Sequence, residues 1–244
     1  MANSQHLLFL KQGVASWNKY WKRAIIGSNR NPNRIDLSGA NLNGMDLSGI
    51  DLSGADLSNA SLQGTNLTGA ILSETDLTRV WAVEANFSQA DLTGAYLLSA
   101  NFDRSRCQET DLRWVDLRLA SLKNANLARA NMRGAKLNES DLSGSRLLET
   151  NLSNANLNQA NLKWANLNQA DLSNTRARGT NFTAARFTGT CVENWTIDSK
   201  TQFDSTTCSY VYLKHYQRER YPIVGDFPLG EFARLLVDTR IVAS

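Results

Sequence analysis

Residues 35–62 run IDLSGANLNGMDLSGIDLSGADLSNASL. Leu37, Leu42, Leu47, Leu52, Leu57 and Leu62 fall on every fifth residue. The register continues without insertion through Leu157, Leu162, Leu167 and Leu172. It closes on Phe182, Phe187, Val192 and Ile197, thirty-three centres in all. Two residues before each centre stands a small side chain, usually Ala, as at Ala40, Ala55, Ala60, Ala155, Ala160 and Ala165. Asp or Asn commonly lies between them, which gives the unit A-(D/N)-L-x-x. A repeat held over this length sets the architecture of the whole chain.

A period of five fits neither regular element, since a helix needs apolar residues at 3.6 and a strand at 2. Leu at every fifth position of a helix would smear the apolar stripe around the cylinder. The pattern instead predicts a short extended step with two inward residues, the centre and the residue two before it. A bend follows at the polar pair after the centre. The recurring Ser-Gly, Asn-Gly and Thr-Gly pairs suit that bend, because Gly accepts positive φ and Ser or Asn bonds its own backbone.

This pattern resembles the pentapeptide-repeat family over about two thirds of the chain. The resemblance implies an all-β solenoid, a right-handed quadrilateral β-helix of about eight 20-residue coils. The four sides come from the resemblance and not from the spacing. Coils would stack at roughly 4.8 Å, so residues twenty apart would form surface columns. Exceptions to the rule read as local repacking, as at the small centre Ala82 with the larger Val80 beside it, while the small centres Cys107 and Ala177 read as weakly packed. The flanks are also similar to the ends of cyanobacterial members: the Trp17-Asn18 helix and the segments Cys191–Trp195 and Gly230–Arg234 carry that likeness.

Three parts follow: an N-terminal helical cap at 1–34, the β-helix at 35–199, and a C-terminal capping segment at 200–244. Residues 4–26 read as one helix with Ser4 as N-cap. Leu7, Leu10, Val14, Trp17, Trp21 and Ala24 make its apolar stripe. Gly27 and the Asn31-Pro32 pair end it. A lid over the first coil, a dimer seam and a membrane-surface helix are the readings weighed; an open solenoid end needs a lid. After Ile197 the period fades. Tyr210–Leu213 reads as a strand or a packed extended piece, Gly225-Asp226 as a turn, and Phe232, Leu235 and Leu236 as the apolar face of a short helix near 228–240.

Net charge is only +3, but it is unevenly placed. Residues 1–34 carry six Lys/Arg and no acid, residues 35–78 six acids and no Lys/Arg, and residues 104–136 eight Lys/Arg against three acids. Asp36, Asp56 and Asp76 fall on one column, which reads as a solvated face partly balanced by the basic N-terminal helix, the alternative being a metal or cationic partner. Glu109, Arg129 and Glu149 form a ladder of alternating sign. Ile71, Trp81 and Tyr96 stand where Asp or Asn is usual, and Leu98 and Trp114 also point outward. They mark an interaction surface or lie beneath a terminal segment folded back on the rod. Beside them Arg113, Arg118 and Arg133 offer positive charge.

Three cysteines do not make a secreted disulfide framework. Cys107 is a buried centre. Cys191 and Cys208 are two reduced thiols in a local core or a disulfide clip. No signal peptide and no membrane span is read, which places the chain in the cytoplasm. No catalytic, metal or cofactor motif is found. His6 and His215 lie outside the repeat, and the carboxylates sit on a convex surface without a cleft.

The function that follows is a non-enzymatic, rigid scaffold for another protein, as monomer or weak homodimer. The candidate surface is Trp81, Tyr96, Leu98, Arg113, Trp114, Arg118 and Arg133. The family resemblance implies an alternative, a DNA mimic acting on gyrase, which the basic charge disfavours. Direct nucleic-acid binding through the basic middle would need strong salt dependence, and the interleaved acids weaken it.

Overall fold

A five-residue unit with Asp or Asn before its centre places all five of its backbone amides. In the unit Asp56–Ala60, Asp56 N donates to Ile35 O (2.7 Å), Leu57 N to Asp76 O (2.8 Å), Asn59 N to Thr78 O (2.9 Å) and Ala60 N to Leu57 O (3.0 Å). The fifth amide, Ser58 N, donates to Asp56 Oδ1 at 2.9 Å. That bond is the physical reason for Asp or Asn before the centre: a short carboxylate or amide reaches the amide two residues on. A buried backbone donor left without a partner is costly. The unit therefore answers the hydrogen-bond accounting with a single side chain.

A computed structural model describes residues 2–27, 35–228 and 230–237. The centre and the residue two before it are buried, and the turn pair after the centre faces out. The second turn residue has positive φ whether or not it is glycine, as at Gly39 (65°), Arg79 (56°) and Trp114 (61°). With the bond from Ala40 N to Leu37 O (3.0 Å), this is the pattern of a type II turn. Successive bridges at Asp36, Asn41, Asp46 and Asp51 each pair in parallel with the residue twenty later: Asp56, Ser61, Asn66 and Ile71. Four sides thus close one turn of the path.

The core is a column of Leu and Phe centres flanked by Ala and Thr. Phe87 and Phe102 stack at 4.7 Å between ring centroids. Buried threonines replace Ala at several inward positions and donate across coils: Thr110 Oγ1 to Phe87 O and Thr150 Oγ1 to Leu127 O, both at 2.8 Å. A hydroxyl is tolerated there because the carbonyl of the preceding coil accepts it. Cys107 is buried. Its burial pushes the thiol up to about 12, against a hydrogen bond with Ser105.

The ladder does not stop at Ile197. After a one-residue insertion, Asn181 pairs with Gln202 and Arg186 with Thr207. Strand β1 (Thr190–Cys191) then pairs in parallel with β2 (Val211–Lys214), and β2 pairs antiparallel with β3 (Arg218–Tyr221). The repeat is hidden in the sequence at this point because one extra residue shifts the register while the turn at Ser199-Lys200 absorbs it. Phe182, Phe187, Trp195, Phe203 and Phe232 gather at this end; Phe187 and Phe232 lie 5.3 Å apart. Phe232 belongs to the short helix Glu231–Val237.

At the other end the single expected helix is two: α1 (Ser4–Leu10) and α2 (Val14–Gly27). Gly13, at φ 94°, breaks them. The N-cap is Asn3 and not Ser4, its side chain accepting from Gln5 N and His6 N. Asn31, Pro32 and the expected helix end near Arg240 lie outside the described residues. Leu10 and Trp17 are buried. His6 Nδ1 accepts from Asp36 N (3.1 Å), Asn18 Oδ1 from Asp51 N (2.9 Å), and Trp17 Nε1 donates to Asp51 O (2.8 Å). These partners stand where a preceding coil would stand.

Replacing Leu127, fully buried in a middle coil, by Ala should destabilise the chain by about 3–5 kcal/mol, measured by denaturant unfolding.

Candidate interaction surface

Four faces run along the rod, each read as columns of residues twenty apart. The first carries Asp36, Asp56, Asp76, Tyr96 and Asp116; the second Asn41, Ser61, Trp81 and Asn101; the third Asp46, Asn66, Asn86 and Arg106; the fourth Asp51, Ile71, Asp91 and Asp111. Ile71, Trp81 and Tyr96 stand where Asp or Asn would bind the turn amide. Their side chains cannot do so, and each gives up that bond to present an apolar surface to solvent.

The structure divides the sequence-predicted residues among faces. Tyr96, Leu98 and Arg118 share the first face. Arg113, Trp114 and Arg133 lie on the fourth, with Trp114 at the corner that leads into the first. Trp81 opens the second face, one coil earlier than Tyr96, and does not join the others. Trp81 (51%), Tyr96 (54%) and Trp114 (57%) are exposed, while Leu98 is half-buried. At that exposure none of the three is enclosed beneath a terminal segment among the described residues.

Two residues missed in the sequence extend this picture. Leu119, at 55% exposure, follows Arg118 on the first face. It stands at a positive-φ turn position (59°) where the repeat prefers glycine or Asn. Trp164 is exposed on the second face, with Lys163 Nζ 4.1 Å from its ring centroid. The signal for both was present: a large apolar residue in the turn pair has no route to the core.

Charge on these faces is more balanced than the count of arginines implies. Arg113 Nε donates to both oxygens of Asp111, at 2.8 and 2.9 Å. Arg118 binds Asp116 as a fork, Nε to Oδ1 at 2.8 Å and Nη2 to Oδ2 at 2.7 Å. Burial opposes the charge on Asp111 and Asp116, yet the hydrogen bonds and charges of Arg113 and Arg118 hold both carboxyls below their usual range. Two of the three expected free arginines are therefore spent on their own Asp two residues back. On the third face Arg129 reaches Glu149 (3.0 Å) and Glu109 (3.7 Å), the ladder read in the sequence.

The disulfide reading does not hold: Cys191 and Cys208 are free thiols. Cys191 occupies a bridge position on the fourth face, while Cys208 follows Thr207 on the third and donates to Tyr210 O at 3.4 Å. They belong to adjacent sides of the coil and face different surroundings. Burial pushes the Cys191 thiol up to about 11 and that of Cys208 up to about 12. Cys208 lines a recess of about 460 Å³ with Arg186, Thr207, Phe227 and Phe232.

The family model for pentapeptide repeats matches this chain in eight copies between residues 35 and 194. The chain belongs to the pentapeptide-repeat family. Its coil is thus the right-handed quadrilateral β-helix of that family. Comparison with curated proteins finds no match. Among solved structures, the chain is similar to HetL, a pentapeptide-repeat protein involved in heterocyst differentiation regulation from the cyanobacterium Nostoc. Identity is 24%, over 80% of this chain and 95% of that one, with a TM-score of 0.43. It is similar to QnrB1, a plasmid-mediated fluoroquinolone resistance protein, at 19% identity over 72% and 92% of the two chains, TM-score 0.45. A third is Rfr23 from the cyanobacterium Cyanothece, at 22% identity over 68% and 89%, TM-score 0.31. Among the described residues no helix is long and apolar enough to cross a membrane.

The Trp114 ring lies against Gly134 of the next coil, so close that a Cβ there would meet it at 2.2 Å. Gly134 also has φ 69°. Gly134→Ala should cost more stability than Gly39→Ala, whose φ is 65° but which meets nothing within 4 Å. The φ change alone costs about 1–2 kcal/mol. The excess at Gly134 should vanish in the Trp114→Asn background, as denaturant unfolding of the four variants will measure.

Proposed function

We propose that this pentapeptide-repeat protein is a non-enzymatic, rigid scaffold that binds another protein through its first face and the corner beside it. The observation that carries the reading is the exposed group Tyr96, Trp114 and Leu119, with Leu98 half-buried among them. Large apolar residues exposed together mark contact surfaces, and aromatic residues dominate contact energetics. Each occupies a position where the repeat's own stability favours another residue. Tyr96 forgoes the Asx bond, and Trp114 and Leu119 hold positive φ. The fold does not ask for these side chains, which supports a role outside it.

The helices at the two ends are, in this reading, caps. His6, Trp17 and Asn18 occupy the hydrogen-bonding groups that the first coil would offer to a preceding one. Phe232 covers the aromatic cluster of the last coil. A capped rod is closed to end-to-end growth, which favours a monomer or a weak homodimer presenting its sides. Arg113 and Arg118, engaged by Asp111 and Asp116, leave little free positive charge there for nucleic acid. Cys191, buried, and Cys208, half-buried, are both thiols and fit a reducing compartment such as the cytoplasm. Their raised pKa values and the convex, wet carboxylates support the absence of catalysis.

The test is the triple variant Tyr96→Asn, Trp114→Asn and Leu119→Asn. Asn restores the turn bond at 96 and suits positive φ at 114 and 119, so circular dichroism and unfolding should show a chain at least as stable as the parent. Wild type should retain a protein partner from nuclease-treated native lysate, and the variant should lose it. Retention of the same partner by both forms would remove this face from the function.

A further inference from the structure

The fold assembles a second group of chemically distinct side chains at the C-terminal end of the fourth face. Asp171 and Cys191 are partners in the coil ladder, so they stand one above the other in the column of the fourth face. Cys191 takes the place of the Asp or Asn that the column carries at Asp111, Asn131 and Asn151. The pairing of β2 with β1 then delivers the residue after β2, His215, to the same spot. His215 Nδ1 lies 3.1 Å from Asp171 Oδ2. The candidate donor atoms of Asp171, Cys191 and His215 all lie within 4.8 Å of one another. Spacing in the sequence cannot reveal this, because the three residues come from two coils and a hairpin.

The surroundings fix the histidine. Glu193 Oε2 accepts from the His215 backbone N–H at 2.9 Å, and Ser173 Oγ sits 3.4 Å from Nδ1. Cys191 is buried and Asp171 half-buried. One sulfur, one imidazole nitrogen and one carboxylate oxygen make a mixed donor set. Calcium and magnesium require oxygen donors in larger number. Sulfur, nitrogen and oxygen together suit zinc, which takes bonds of about 2.0–2.3 Å and hence donor separations near 3.5 Å around a tetrahedron. A thiolate and a carboxylate also balance a divalent charge.

We propose that Asp171, Cys191 and His215 form a binding site for a zinc-class divalent cation that ties the β2–β3 hairpin to the side of the rod. Water completes the tetrahedron, and Glu193 holds the His215 backbone from outside the ligand shell. The site is independent of the first face, so the scaffold reading neither requires it nor depends on it.

The probe is Co²⁺, added to the reduced, metal-stripped full chain and followed by absorbance. Wild type should develop the thiolate-to-cobalt charge-transfer band with one equivalent of metal, and Zn²⁺ should displace it. Cys191→Ser should abolish the band, and His215→Gln should weaken Co²⁺ binding by more than about tenfold. Cys208→Ser should leave both unchanged. Folding of each variant is checked by circular dichroism. Wild type that gives no thiolate band, or a band that survives Cys191→Ser, would overturn the site irrespective of how the other variants fold.

Discussion

The structure rests on the bond between the Asp or Asn before each centre and the amide two residues on, as in Asp56 Oδ1 with Ser58 N. Four of the five amides in a unit are satisfied by backbone, from the coil before, the coil after or the turn itself. The fifth points along the surface and has no backbone partner in reach. A short acceptor side chain there completes the unit, and the coil can then repeat indefinitely. Where the acceptor is missing, the neighbouring coil sometimes supplies it. Ser61 and Ser121 replace Asn or Asp, and the amides of Gln63 and Lys123 are taken by Asn43 and Asp103 from the coil before, at 2.8 and 3.0 Å. The column, and not the single unit, is what must be satisfied.

This constraint separates structural from functional residues on a surface where both are polar. Most outward positions are filled by residues that serve the turn. Ile71, Trp81 and Tyr96 do not serve it, and neither do Trp114 and Leu119 at positive φ. Strain accepted without a structural return is where a solenoid can carry function. The same logic marks Cys191, which breaks an Asp/Asn column at the one coil where a hairpin brings a histidine alongside. A rigid rod with surface columns holds such groups at fixed separations along its length.

Much of the fold was legible because its period is short and its core is one-dimensional. Leu37 to Ile197 gave the inward positions, and the Gly and Asn residues gave the turns. The helix break at Gly13 was not legible, since the steps of three and four from Leu10 to Val14 and Trp17 continue across it. The last turn of the coil was hidden by one inserted residue near Ser199, which leaves the stacking intact while ending the sequence register. Site residues were read less well. Exposure of Trp81, Tyr96 and Trp114 followed from register, but the pairing of Arg113 with Asp111 and Arg118 with Asp116 depends on side-chain rotamers. The meeting of Asp171, Cys191 and His215 depends on a hairpin that the repeat does not encode.

Residue-resolved amide hydrogen exchange tests the hydrogen-bond scheme most directly. Amides bonded across coils or within turns, such as Leu127 N, Arg129 N and Ala130 N, should be strongly protected. The amide that follows each centre has no backbone acceptor and at most an outward side chain, as Ala128 N has Asn126 Oδ1. It should exchange fastest in every unit. The scheme predicts a five-residue oscillation of protection along residues 37–187, with its minimum one residue after each centre. Protection that is uniform, or that oscillates with any other period, would contradict it.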